Sequence, residues 1–133
     1  NAILTGAILT GADLTDANLS NVYLSGRDLT GTRLVGVDMS GRDLTGTILT
    51  GADLTGADLS NAILIDANLI DVNLQNSDLR SALLVDTNLT NAILTGADLT
   101  NAILTGAILT GADLENAVLT NAVLNCMGHP LCV

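Results

Sequence analysis

Tryptophan and phenylalanine are absent, tyrosine occurs once, and the 133 residues include no lysine, one histidine, one proline and two cysteines. Without large aromatic rings, an interior has to be built from aliphatic side chains. Four arginines against fourteen acidic residues leave a formal charge of −10. Such a surface repels nucleic acid and anionic membranes, so no direct nucleic-acid binding is expected, and any charged partner should be basic. No apolar run approaches the roughly 20 residues of a bilayer span, because Gly, Thr, Asn or Asp interrupts every stretch, so no membrane insertion is expected. The lone proline, Pro130, lies close to the end, and no shift in composition marks a linker. One elongated body follows. With a single histidine and no serine or cysteine in a nucleophile setting, catalysis has little to work with, so neither an enzyme nor a cofactor is expected. The chain does not open on methionine, as a processed or truncated start would not.

What the sequence does have is leucine at every fifth position from Leu4 to Leu124, with Met39 the one substitute. A period of five fits neither the 3.6-residue helix nor the alternation of an ordinary strand, so a repeat architecture is indicated. The unit recurs twenty-five times without insertion or deletion. Leucine is its central core residue. Two residues earlier stands Ala in sixteen units, a second inward position in an interior too narrow for much more than a methyl group. Two residues after the leucine come Gly, Asn or Asp, with Ser81 the exception, residue types that tolerate a positive φ and so can turn a corner in each unit.

On the stretch Gly51-Ala52-Asp53-Leu54-Thr55-Gly56-Ala57-Asp58-Leu59 and its repetition over residues 2–124, the chain resembles the pentapeptide-repeat family, which is common in cyanobacteria. The resemblance implies an all-β fold, a right-handed quadrilateral parallel β-helix in which four units make one square coil. About six coils, a rod of about 30 Å at the spacing of paired strands, are then expected over residues 1–125, with residues 126–133 as a short cap. Some relatives are dimeric DNA mimics that bind gyrase and protect it from quinolones. This chain departs from them in its length, its leucine centre and its lack of an evident dimerisation module.

Counting in steps of twenty residues assigns each unit to a side of the coil. The residue before the leucine faces outward, and on one side it reads Ile3, Tyr23, Asp43, Ile63, Leu83, Ile103, Val123. On that side the residue after the leucine is also apolar at two successive levels, Ile65 and Val85. Tyr23, Ile63, Ile65, Leu83, Val85 and Ile103 are therefore interface candidates, for a protein partner or for a homodimer through one apolar face. The alternative is that Ile is tolerated as a good strand former. The neighbouring side stacks Asp38, Asp58, Asp78 and Asp98, whose repulsion counter-ions or a basic partner would relieve. That ladder is read as a divalent-cation site, as the basis for an acidic DNA mimic, or as ordinary solvated consensus Asp. The glycine-rich calcium repeat is missing, so no dedicated metal site is expected.

From Val22 to Thr47 the inward position holds Val22, Arg27, Thr32, Val37, Arg42 and Thr47, and Arg33 and Asp43 break the pattern of their own sides. A guanidinium cannot lie unpaired in so narrow an interior, so a distortion of about one and a half coils is expected, with the arginines turned towards Asp28, Asp43 or another acid. A partner site and tolerated drift are both compatible with this stretch. After Leu124 the register fails. Cys126 and Cys132 enclose a short loop, open to a disulfide, to free thiols or to a metal site with His129; a disulfide would imply an oxidising compartment such as periplasm or thylakoid lumen, free thiols the cytoplasm. Leu131 is expected to cover Leu124 or Leu119. The amino end has no comparable segment, so preceding residues or association should cover it.

The predicted activity class is a non-enzymatic structural or protein-interaction module. The alternative is an acidic DNA mimic acting on an enzyme such as gyrase.

Overall fold

The computed structural model describes residues 8–19 and 22–132. Parallel bridges join residues twenty apart, Asp38 to Asp58, Ile63 to Leu83, Asn68 to Asn88 and so on up the chain, so four five-residue units complete one turn. Among the described residues there is no helix. The opening units, with Ile3 of the apolar side and the question of an amino-terminal cover, lie outside the described residues.

Each unit repeats one set of backbone hydrogen bonds. The leucine N–H donates to a carbonyl nineteen residues on, as from Leu54 to Asn73, and the outward residue's N–H donates to the coil before, as from Asp53 to Thr32. At the corner, the N–H of Ala52 closes on the carbonyl of Leu49 at 3.0 Å. The residue between, Gly51, has φ +64°, which is what the third position of a type II turn requires. Eleven corners reach the same left-handed region without glycine, through Asn, Asp and Ser81. Asn and Asp adopt it with little strain, whereas serine has less local compensation.

The interior is the leucine column and the small residues beside it. Leu24 through Leu109, with Met39, are at most 2% exposed. Leu114, Leu119 and Leu124 are only partly covered, since no coil of the described chain stacks beyond them. The inward position admits hydroxyls as well as Ala, because each finds a carbonyl: Thr32 reaches Leu29 and Ser77 reaches Leu74, both at 2.8 Å, and Thr87 reaches back across a coil to Leu64 at 2.7 Å. A satisfied hydroxyl costs little when buried, so the narrowness of the interior, not polarity alone, selects what enters.

Regular twenty-residue rungs run up to Val123, and one further rung follows. It pairs Ile108 with Met127, nineteen residues apart instead of twenty. One residue is skipped at that corner, and Cys126 moves into the inward place, 9% exposed.

Replacing Ser81 by glycine should stabilise the protein by about 0.5 to 1 kcal/mol, because serine at φ 58° carries a left-handed penalty that glycine avoids. Thermal or urea unfolding checks this, and a loss of stability would show that the corner is not strained.

Candidate functional site

On the apolar side, Ile63, Leu83, Ile103 and Val123 are successive rungs, with Asp43 below them. The carbonyls of Ile65 and Val85 accept from the corner N–H groups of Gly46 and Asp66 in the coils below, so these two residues also stack one above the other. Ile63, Ile65, Leu83, Val85 and Ile103 are half-buried, each shielded by its neighbours, while Val123 is exposed. None of them packs against the interior cluster. Tyr23 is 65% exposed and forms no rung, so it stands apart from the strip. Ile48 and Ile93 are exposed too, but each on another side and without an apolar partner in the adjacent rungs, which hold Asp28 and Asn68, Asn73 and Asp113.

On the next side Asp38, Asp58, Asp78 and Asp98 form consecutive rungs, ending at Val118. Their carboxylates do not simply face solvent. Asp38 Oδ1 accepts from the Ser40 N–H at 2.9 Å and from its hydroxyl at 2.7 Å, and Asp98 does the same with Thr100 at 2.9 and 2.6 Å. Asp58 accepts from the Ser60 N–H at 2.9 Å. The same bond recurs on all four sides where Asp or Asn precedes the leucine, as at Asp43, Asp53, Asn68 and Asn88. It closes an Asx turn on the one amide of each unit that the backbone ladder leaves free.

Arg80 lies on this ladder. Its Nε donates to both carboxylate oxygens of Asp78 at 2.9 Å, and its N–H caps the same group at 3.0 Å. These bonds hold the Asp78 carboxyl below the usual carboxylate range: the Arg80 side-chain hydrogen bond contributes most, and its N–H and charge add to it against partial burial. In turn the Arg80 guanidinium is pushed up, chiefly by Asp78 and further by the charges of Asp98 and Asp58. At Asp38 the carboxyl is lowered first by the Ser40 hydroxyl, then by its N–H, with a smaller contribution from Arg42. Within the chain, Arg80 offsets the charge of the ladder at Asp78.

The irregular stretch keeps its register upward: Asp28, Arg33, Asp38 and Asp43 all pair twenty residues on. The break lies at the lower edge of the stretch, where Asn18 and Tyr23 make no rung although Arg33 still pairs with Asp13. Arg27 and Arg42 are half-buried at the inward position, and neither forms an ion pair among the described residues. Arg27 Nε is buried without a hydrogen-bond partner. Arg33, pointing outward, reaches Asp13 at 3.4 Å. At the far end Cys126 and Cys132 are joined by a disulfide, with Cα atoms 4.9 Å apart. Cys126 belongs to the interior cluster and Cys132 packs on it, whereas Leu131 remains 42% exposed. The disulfide, not Leu131, covers that corner of the last coil.

The family model for pentapeptide repeats matches in eight copies, in overlapping segments that together span residues 1–126. The chain belongs to the pentapeptide-repeat family. Among solved pentapeptide-repeat structures it is similar to Rfr23 from the cyanobacterium Cyanothece 51142, with 40% identity, a TM-score of 0.67, and coverage of 69% of this chain and 64% of that one. It is also similar to HetL, involved in heterocyst differentiation regulation in the cyanobacterium Nostoc sp. strain PCC 7120, with 36% identity, a TM-score of 0.70, and coverage of 96% and 63%. This pentapeptide-repeat chain thus spans less than two thirds of either cyanobacterial protein. QnrB1, a plasmid-mediated fluoroquinolone resistance protein, shares the fold at 19% identity and a TM-score of 0.74, over 95% of this chain and 69% of that one. No curated protein matches the sequence.

Two features escape a reading by position alone. The Asx turns are signalled by Asp or Asn two residues before a Ser or Thr, but the outward residue looks merely solvated until its amide partner is seen. Arg80 occupies the place that Ser or Thr holds elsewhere on its side, which is the sequence signal for a cation on the ladder. A carboxyl depressed in the folded state contributes stability that is complete above its unfolded value of about 4 and is lost as pH falls through the folded value. Arg80→Ala should therefore raise the Asp78 pKa towards the ordinary value and lower Tm slightly at neutral pH, with the deficit against wild type closing below about pH 3. Carboxyl-carbon NMR titration and melts at the two pH values check this; an unmoved Asp78 titration contradicts the pairing.

Proposed function

We propose that this pentapeptide-repeat chain is a non-catalytic protein-interaction module. It is read as a right-handed quadrilateral coil of about six turns with residues 126–133 as its cap. Its docking surface is the side carrying Ile63, Ile65, Leu83, Val85 and Ile103. The carrying observation is that, among the described residues, outward apolar residues stack on successive levels in both outward columns on this side, whereas elsewhere such stacking, as of Ile108 and Met127, is confined to one column. Nothing in the repeat demands them there. Asp or Asn at the outward position would close the Asx turn, and at Ile63, Leu83 and Ile103 that local bond is given up. Contiguous apolar surface on a soluble coil marks an interaction site. HetL, a relative involved in heterocyst differentiation regulation, gives the reading a regulatory precedent.

The acidic-mimic reading is the weaker one. Its carboxylates serve as turn acceptors, and Arg80 interrupts the charge at the middle of the ladder. QnrB1 supports the shared fold and no more.

Affinity capture from the native source tests the choice, using wild-type rod, Leu83→Asp, and Asp58→Asn with Asp78→Asn. The partner should be identified and the complex rebuilt from purified components. It should bind wild type and the Asn variant and lose affinity for Leu83→Asp by about tenfold or more, as expected for a charge placed in an apolar contact. Binding that survives Leu83→Asp and fails with the Asn variant would assign the function to the acidic side instead.

A further inference from the structure

The apolar strip has measurable limits. Its rungs from Ile63 to Val123 are four levels, about 15 to 20 Å along the coil, and one side is about 10 Å wide at strand dimensions. That is an area on the order of 200 Å², far short of the about 800 Å² per partner of a stable interface between globular proteins. A second copy of the rod laid face to face would gain too little from it. A single α-helix, about 10 Å across and rising 5.4 Å per turn, matches both dimensions over about three turns.

The rims are unequal. Along one edge run the corner residues Asp66 and Asp86, both exposed. Their carboxylates take no hydrogen bond or ion pair among the described residues, whereas the Asp residues that precede a leucine accept bonds from their turns. Asp86 lies below Gly106, with its Oδ1 2.0 Å from where a Cβ on that glycine would stand, so its side chain occupies the space that the glycine leaves open. Along the other edge the corners are Asn61, Ser81 and Asn101, with Arg80 next to Ser81 already paired to Asp78. Both edges are therefore acidic but differ in kind: beyond the Asn61, Ser81 and Asn101 corners Asp58 and Asp98 are tied into their turns and Asp78 is paired to Arg80, whereas Asp66 and Asp86 stand at the corner itself with carboxylates that no turn engages.

From this shape and charge we infer that the strip receives an amphipathic helix of a partner protein, lying along the coil axis, its apolar stripe on Ile63, Leu83 and Ile103 and lysines or arginines along the flank beside Asp66 and Asp86. The inference rests on the docking reading above and specifies its occupant. Helix turns at 5.4 Å meet rungs at about 4.8 Å closely enough to stay in step for three levels. Helix-in-groove recognition anchors the same kind of stripe elsewhere.

The probe is a synthetic peptide of about fourteen residues with a leucine stripe at helical spacing and lysines on one flank, compared with a shuffled peptide of identical composition. Titration calorimetry and circular dichroism should show the ordered peptide binding to the full chain and gaining helix, and the shuffled one binding at least about tenfold more weakly. Ile65→Thr with Val85→Thr, which restores the residue types of the neighbouring levels and keeps the fold, should weaken binding about tenfold. Asp66→Asn with Asp86→Asn should weaken it and flatten its salt dependence. Leu83→Asp should abolish it even though it makes the rod more acidic. Equal binding of the shuffled peptide, or undiminished binding to Leu83→Asp, would reveal plain charge attraction and overturn the inference. A native partner that requires Leu83 yet docks without a helix would overturn it too, while leaving the docking reading intact.

Discussion

A leucine seated above the leucine twenty residues before it is the contact on which the remaining structure depends. It does two things at once. It removes an isobutyl group from water at every side of every coil, and it sets the coil-to-coil distance at which the N–H of each leucine meets the carbonyl nineteen residues on. Neither would persist alone, because a ladder of isolated bridges has no helix or wide sheet to support it, and a column of leucines without the ladder has no fixed register. Met39 joins the column fully buried, since an unbranched thioether of similar volume can fill the place of an isobutyl group.

Given that interior, the outside is controlled by amide accounting. The backbone ladder and the corner turn use four of the five N–H groups in a unit, and Asp or Asn before the leucine accepts the fifth. The acidic character of the rod is thus partly a folding device, and stacked carboxylates are its side effect. Where the chain replaces Asp by Ile or Leu at successive levels of one side, it gives up a local bond and presents apolar surface instead. That exchange separates the apolar side from the acidic one more clearly than charge does.

Much of this was legible beforehand. The five-residue period of leucine, the small residue two before it and the Gly, Asn or Asp two after it lead directly to the column, the inward place and the corner, because each demand is local. Which residues share a side also followed, since no insertion disturbs the count before Leu124. What stayed hidden needs contacts in space. The pairing of Arg80 with Asp78 depends on how a side chain bends back, and the rung at Met127 depends on a skipped residue that no pattern announces. The arginines of the 22–47 stretch were expected to distort their own coils and seek acids. The rungs above the stretch hold their register, and the gap opens at its lower edge, at Asn18 and Tyr23.

The most direct test of this account is the detection by NMR of scalar couplings across hydrogen bonds, from the amide nitrogens of Leu54, Leu64 and Leu69 to carbonyl carbons. Couplings to Asn73, Leu83 and Asn88, each nineteen residues on, are predicted. Couplings to carbonyls four residues back, or to carbonyls at unequal separations along the chain, would contradict the stacked column and every assignment of residues to sides that rests on it.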